Sequence, residues 1–141
     1  MITVAYLYLV ADILERKVVY ANAGHPPPVL LRRSENRLLH LSALNDDPDI
    51  ALGLAGDVDY TLQEIQVFKG DSLILYTDGA FEAQNPNGEQ VGMKRFNEWI
   101  LQNGDQPMPE LLGNLMQSLE DYCGTNEFGD DVCLFGMDFV R

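Results

Sequence analysis

Two places in this chain carry carboxylates positioned for chemistry. Asp78 sits in Thr77-Asp78-Gly79-Ala80, directly after the apolar run Leu73-Ile74-Leu75-Tyr76, and the doublet Asp130-Asp131 directly precedes the run Val132 to Phe139. A carboxylate carried by a buried strand onto a glycine turn is held rigidly at a sheet end, where a cation or substrate can reach it. An Asp before Gly at a strand end is, taken alone, more often a turn former. Two strand-linked acids of this kind read as part of a hard-metal site, because Mg²⁺ and Mn²⁺ prefer oxygen ligands. Glu82 follows Asp78 by four residues, so the two share a face if the chain turns helical after Gly79.

Strands must hold those acids in place, and the first two-thirds of the chain reads as strands. Ile2 to Val10 and Val18 to Ala21 flank the polar turn Glu15-Arg16-Lys17, which predicts a hairpin. Val29 to Arg32 and Arg37 to Leu41 flank Ser34-Glu35-Asn36 and predict another. Residues 43–57 read as a loop. Tyr60 to Phe68 alternates in its apolar positions, and Lys69-Gly70-Asp71 turns into Ser72 to Tyr76, so these two strands are expected to pair antiparallel.

The last third changes period. Met93, Phe96, Trp99 and Ile100 fall at helical spacing, and Asn103-Gly104 supplies a stop. A second helix is predicted to begin near Pro109, to carry the core stripe Leu111, Leu115 and Leu119 with Leu112 and Met116 beside it, and to end at Gly124. Val132 to Phe139 returns as a strand. The pattern predicts a single α+β domain over residues 1–141, with antiparallel sheets and a helical pair covering one face.

Composition narrows the partners. A chain of 141 residues can bury one real core. Nine basic residues against 22 acidic ones give a net charge of −13, which repels nucleic acid backbones and anionic membranes but tolerates cations and basic protein surfaces. Asp46, Asp47, Asp49, Asp57 and Asp59 crowd one segment that reads as a solvated loop. Cys123 and Cys133 have no CxxC spacing, so buried free thiols in a reducing cytoplasm are expected, with neither disulfide nor zinc. The run Ile2 to Ala11 lacks a basic leader and is about half the length a membrane-spanning helix needs. A chain opening directly on a core strand leads us to expect further sequence upstream.

Several segments occur together in order: Tyr20-Ala21-Asn22-Ala23-Gly24-His25-Pro26-Pro27, Leu52-Gly53-Leu54, Gly70-Asp71-Ser72 through Thr77-Asp78-Gly79, Gly88-Glu89-Gln90-Val91-Gly92, and Asp130-Asp131-Val132. Each is weak alone; the ordered set is specific. The chain resembles the second half of the metal-dependent (2C-type, PPM) serine/threonine phosphatases, in the bacterial SpoIIE/RsbU-like branch that regulates sporulation and general-stress partner switches. The resemblance runs from about Met1 to the C-terminus.

The resemblance implies an α-β-β-α sandwich with two Mn²⁺ or Mg²⁺ ions between antiparallel sheets. It also implies hydrolysis of a phosphoserine or phosphothreonine in a regulatory protein by metal-activated water, without a covalent enzyme intermediate. Asp78 matches the family's ligand in its aspartate-glycine turn, with the Gly79 backbone as a lesser candidate. Asp130 matches the late aspartate that closes the site. Asp131 is its alternative, and Asp130 is favoured because the residue after the ligand must start a core strand whose side chains alternate in direction. Glu82 stands where many members hold a weaker third metal, although a solvated or outer role suits its longer side chain. His25, with Asn22, occupies the position where the bacterial branch carries a histidine. It could bind metal, accept a hydrogen bond or hold phosphate, or simply cap a hairpin fixed by three prolines. His40 has no role suggested by sequence.

The family's early acidic ligand and its bridging aspartate have no match: no acid precedes Asp12, and the only Gly-His pair is Gly24-His25. The chain is therefore expected to be a phosphatase domain lacking its N-terminal portion, inactive or weakly active alone, and able to hold a divalent ion only weakly. A homodimer or strand-exchanged oligomer is expected from the incomplete sheets. The alternative is a pseudophosphatase or partner-binding module on the same scaffold.

Overall fold

The computed structural model describes residues 4–42 and 50–140. The start of the predicted first strand, Ile2 and Thr3, and Asp46, Asp47 and Asp49 of the predicted loop lie outside the described residues.

The chain opens with a hairpin of β1 (Tyr6–Asp12) and β2 (Lys17–Ala23), in register from Tyr6 opposite Ala23 to Asp12 opposite Lys17. Its turn closes because one Asp12 carboxylate oxygen accepts the amide N–H groups of Leu14 and Glu15 at 3.0 and 2.9 Å, the local bonding that makes Asp a turn residue. A second hairpin follows, β3 (Val29–Arg32) and β4 (Arg37–His40). Then come β5 (Gln63–Gln66), β6 (Ser72–Tyr76), a single helical turn α1 (Gly79–Glu82), helices α2 (Gly92–Gln102) and α3 (Met108–Cys123), and β7 (Leu134–Asp138).

The strands form two sheets, one in the order β1-β2-β5 and one in the order β4-β3-β6-β7, antiparallel throughout. The expected pairing of the Tyr60–Phe68 strand with Ser72–Tyr76 does not occur. Its ordered part, β5, lies against β2, whereas β6 is flanked by β3 and β7 and has no edge left to offer. The Lys69-Gly70 turn instead carries the chain from one sheet to the other. Asp71 fixes that crossing: its buried carboxylate accepts from Arg32 Nε and Nη2 at 3.3 and 3.2 Å and from the Phe68 amide at 3.0 Å. The Arg32 guanidinium also lies 4.7 Å over the Phe68 ring. The last strand starts at Leu134 rather than Val132, because the residues before it belong to the acidic turn.

Alternation of side chains divides the core into two layers. Val18, Tyr20, Leu30, Leu41, Val67 and Leu73 pack between the sheets. Leu31, Ile74 and Tyr76 point the other way, onto Phe96 and Ile100 of α2 and Leu111, Leu115 and Leu119 of α3. Each fully buried aliphatic or aromatic side chain there contributes roughly 1.5–3 kcal/mol of transfer free energy. The helical stripe expected of α3 is thus the inner face of the cover. Among the described residues no helix covers the outer face of the three-stranded sheet, where Tyr6, Tyr8 and Val10 are 53, 49 and 44 % exposed.

Candidate metal centre where two acidic turns meet

β6 delivers Asp78 from a rigid base. Tyr76, the last residue of the strand, is buried, packs edge-on against Phe96 at 4.9 Å, and donates its hydroxyl to the Pro27 carbonyl at 2.8 Å. Burial pushes its phenol up to about 12, so it stays a donor at neutral pH. Asp78 then caps α1. Its Oδ1 accepts the Gly79 amide at 3.0 Å, and its carbonyl accepts from Phe81 and Glu82 at 3.0 and 2.9 Å, as at a helix start where amides lack intrahelical partners.

The second acidic turn is laid directly against the first. Thr77 Oγ1 donates to the Asp131 carbonyl at 2.8 Å and accepts the Cys133 amide at 2.9 Å, and the Thr77 amide donates to the Cys133 carbonyl at 3.1 Å. Gly79 is glycine because of this approach. A Cβ there would stand 2.6 Å from the Asp131 carbonyl oxygen and 3.3 Å from that of Asp130. The Asp130 carboxylate accepts the Asp131 amide at 2.7 Å. Asp78, Asp130 and Asp131 all have exposed side chains. Among the described residues, the only hydrogen bond each of the Asp78 and Asp130 carboxylates makes is to the next residue's amide, and only one oxygen is used.

Asp130 and Asp131 differ in what they present. Asp130, with Gly79 and Glu82, lines a cavity of about 430 Å³ whose floor includes Ala83, Cys123 and Phe128. Asp131 turns its carbonyl to Thr77 and Gly79, and neither its side chain nor Asp78 lines that cavity. Glu82 is exposed and sits one helical turn from Asp78, as its spacing predicts. Of the two cysteines, Cys123 is buried, and burial raises its thiol pKa, but Cys133 is exposed, against the expectation that both are buried. β7 begins only after it, at the rim of the acidic turn.

The Asn22–His25 turn reaches the same end of the molecule. β3 runs antiparallel to β6 with Val29 opposite Ile74, so the residues preceding β3 lie beside those following β6, and the Tyr76 to Pro27 bond closes that junction. Asn22 is a structural clasp: buried, it donates to the His25 carbonyl at 2.8 Å and accepts the His25 amide at 2.9 Å. His25 Nδ1 lies 2.7 Å from the Pro26 carbonyl. A carbonyl can only accept, so Nδ1 carries the proton, and in the neutral ring Nε2 is the free acceptor. Gly24 has φ +76°, and a Cβ on it would meet Ala51 at 2.7 Å, which seats the loop before Leu52-Gly53-Leu54 against this turn.

The donors suit an oxygen-preferring divalent ion: two carboxylates with free oxygens, on turns whose backbones touch, with peptide carbonyls between them. Among the described residues no three His, Cys, Asp or Glu side chains gather closely enough to hold an ion. An ion held here would need ligands beyond these side chains. Sequence reasoning singled out both acidic turns and gave Thr77 no role of its own, because a β-branched residue at a strand end is already explained by strand preference; its hydroxyl was the signal.

The family model described as Stage II sporulation protein E (SpoIIE) matches residues 2–140. The phosphoserine phosphatase RsbU of Bacillus subtilis (strain 168) is 26 % identical over 110 residues, covering 77 % of this chain and 32 % of that protein. The solved SiaA-PP2C domain of Pseudomonas aeruginosa superposes with a TM-score of 0.81 at 22 % identity, over 96 % of this chain and 52 % of that one. The manganese-presoaked phosphatase domain of the cell fate determinant SpoIIE from Bacillus subtilis gives a TM-score of 0.67 at 17 % identity, over 96 % and 56 %. The chain thus spans about a third of the curated relative and about half of these two solved domains.

Proposed function

The chain belongs to the SpoIIE family, and on that premise we propose that it is the C-terminal part of a single phosphatase domain of the PPM (2C-type) class. The complete domain removes phosphate from phosphoserine or phosphothreonine in a regulatory protein of bacterial signalling, such as a stress-response switch. The observation that carries this reading is the contact between the Asp78-Gly79 and Asp130-Asp131 turns, held through Thr77 and made possible by Gly79. Packing alone requires no acid at either place, since exposed carboxylates add little to a core.

In this reading Asp78 and Asp130 are metal ligands, with Asp131 as the substitute for Asp130. The Gly79 carbonyl and Glu82 contribute at most at the margin. Mn²⁺ or Mg²⁺ supplies neutralisation of phosphoryl charge and acidification of the attacking water. His25 serves substrate or outer-shell contacts through its free Nε2, and Asn22 holds that turn in shape. The domain works in the cytoplasm; among the described residues no helix is long and apolar enough to cross a membrane. The uncovered sheet favours a homodimer or a strand-exchanged oligomer of this chain, checked by size-exclusion chromatography.

The test is hydrolysis of a phosphoserine peptide with Mn²⁺ by the full-length parent protein. Asp78→Asn should abolish turnover, and unchanged turnover sinks the assignment. One observation favours a second reading, a non-catalytic binding module: among the described residues no three ligating side chains gather. The reading frame upstream of Met1 separates the two. An encoded acidic motif of the kind the family uses early supports the enzyme, and its absence supports the module.

A further inference from the structure

We propose that Thr77 is a positioning residue for the metal site: through its hydroxyl it sets the spacing of the two acidic turns while touching neither ion nor substrate. The proposal rests on the metal-dependent reading above.

A hydroxyl offers one donor and two acceptor lone pairs, and Thr77 uses both kinds on one short stretch, giving its proton to Asp131 O and accepting from Cys133 N. The Thr77 amide adds a bond to the Cys133 carbonyl. Three hydrogen bonds therefore run from the residue immediately before Asp78 to the residues immediately after Asp130. On the far side of Asp78, Gly79 has no side chain to hold the turns apart. One neighbour of Asp78 thus resists separation of the two turns, and the other permits their close approach.

The same geometry separates positioning from general stability. Asp131 and Cys133 are exposed, and Thr77 is only half buried. Water can replace the lost partners if the hydroxyl is removed, so the fold loses little. What water cannot replace is the fixed separation. The β-branch holds Thr77 in few χ1 rotamers, but a serine hydroxyl can reach the same two groups.

The experiment compares the full-length parent protein with its T77V and T77S variants, reading free Mn²⁺ by its electron paramagnetic resonance signal and stability by urea unfolding. T77V should weaken Mn²⁺ binding on the order of ten-fold, the low end for loss of an outer partner of a metal ligand, and T77S should restore it to within about two-fold. Wild-type affinity in T77V overturns the proposal, as does an equal loss in T77S, which would assign the effect to packing of the methyl. Should T77V fail to fold, the Cys133 amide of the wild type decides. Hydrogen exchange as slow as in the β6–β7 ladder supports the clasp, and exchange at the rate of open loops overturns it. Absence of any Mn²⁺ binding by the wild type overturns the metal reading together with this proposal. Binding by the wild type that T77V leaves unchanged overturns this proposal alone.

Discussion

The carbonyl oxygen of Asp131 lies 2.6 Å from the point where a Cβ on Gly79 would stand. No real side-chain carbon tolerates that distance, so the two acidic turns meet only because residue 79 has no side chain. Gly79 is not in the left-handed region, and its requirement is space rather than conformational freedom.

The first prediction follows from that contact. Gly79→Ala must push the Asp131 peptide away and carry the Asp78 and Asp130 carboxylates apart. Overpacking of this kind costs roughly 1–3 kcal/mol, which urea unfolding would register as a lower midpoint. Mn²⁺ binding should fall by more than the stability change explains. Retention of both would show that the turns accommodate a methyl.

Asp130 and Asp131 are predicted to be unequal. Asp130→Asn removes a carboxylate that lines the cavity with Gly79 and Glu82, and Mn²⁺ affinity should fall at least as far as the ~10-fold typical when only an outer partner is lost. Asp131→Asn keeps the carbonyl that Thr77 and Gly79 contact, and it should bind more nearly as the parent does. Calorimetric titration of both variants ranks them, and the opposite order would move the ligand to Asp131.

Asp71 governs the crossing between sheets. Its carboxylate is 2 % exposed, and Arg32, its partner, only 12 %. Asp71→Ala leaves the largely buried Arg32 guanidinium without its counter-ion, held only by the Gln66 carbonyl, and the Phe68 amide without its acceptor. Breaking one side of such a buried pair costs about 3–5 kcal/mol, a large part of the stability of a domain this size. A loss near that of an exposed pair, under about 1 kcal/mol, would show that solvent reaches the site.

His40 gives the chain a pH-dependent component of stability. Burial holds its imidazole below the ordinary value of 6.5, and the neutral ring is the form that accepts the Asn97 amide N–H at 3.1 Å, joining β4 to α2. The unfolded chain binds a proton more readily than the folded one at this position, so stability rises with pH across the window. The contribution is complete above 6.5 and is lost as pH falls through 6.5 toward the lower folded value. His40→Gln should flatten that part of the urea midpoint against pH. An unchanged slope would place the titrating group elsewhere.

Much of this was readable beforehand. The two hairpins, both long helices and the two acidic turns came from period, polar turns and the order of the motifs. The meeting of β5 with β2 did not. A strand, a Lys-Gly-Asp turn and a second strand look like a hairpin from local chemistry, whereas the strands that flank β6 and the buried Arg32–Asp71 pair at the crossing are remote in sequence. Thr77 escaped for a related reason: its function lies in groups more than fifty positions away, which no window around it contains. Local elements and the ordered motifs were legible; the individual strand pairings and side-chain bonds that join distant segments were not.

The uncovered tyrosines and valine of β1 also shape how the molecule behaves in a tube. With a net charge of −13, copies repel one another in dilute buffer, and that repulsion masks a sticky aromatic flank. Added salt shortens the reach of the charge to about 10 Å at 0.1 M but leaves apolar attraction intact. The chain should therefore adhere to column resins and to itself more readily as ionic strength rises, and low-salt buffers should keep it dispersed.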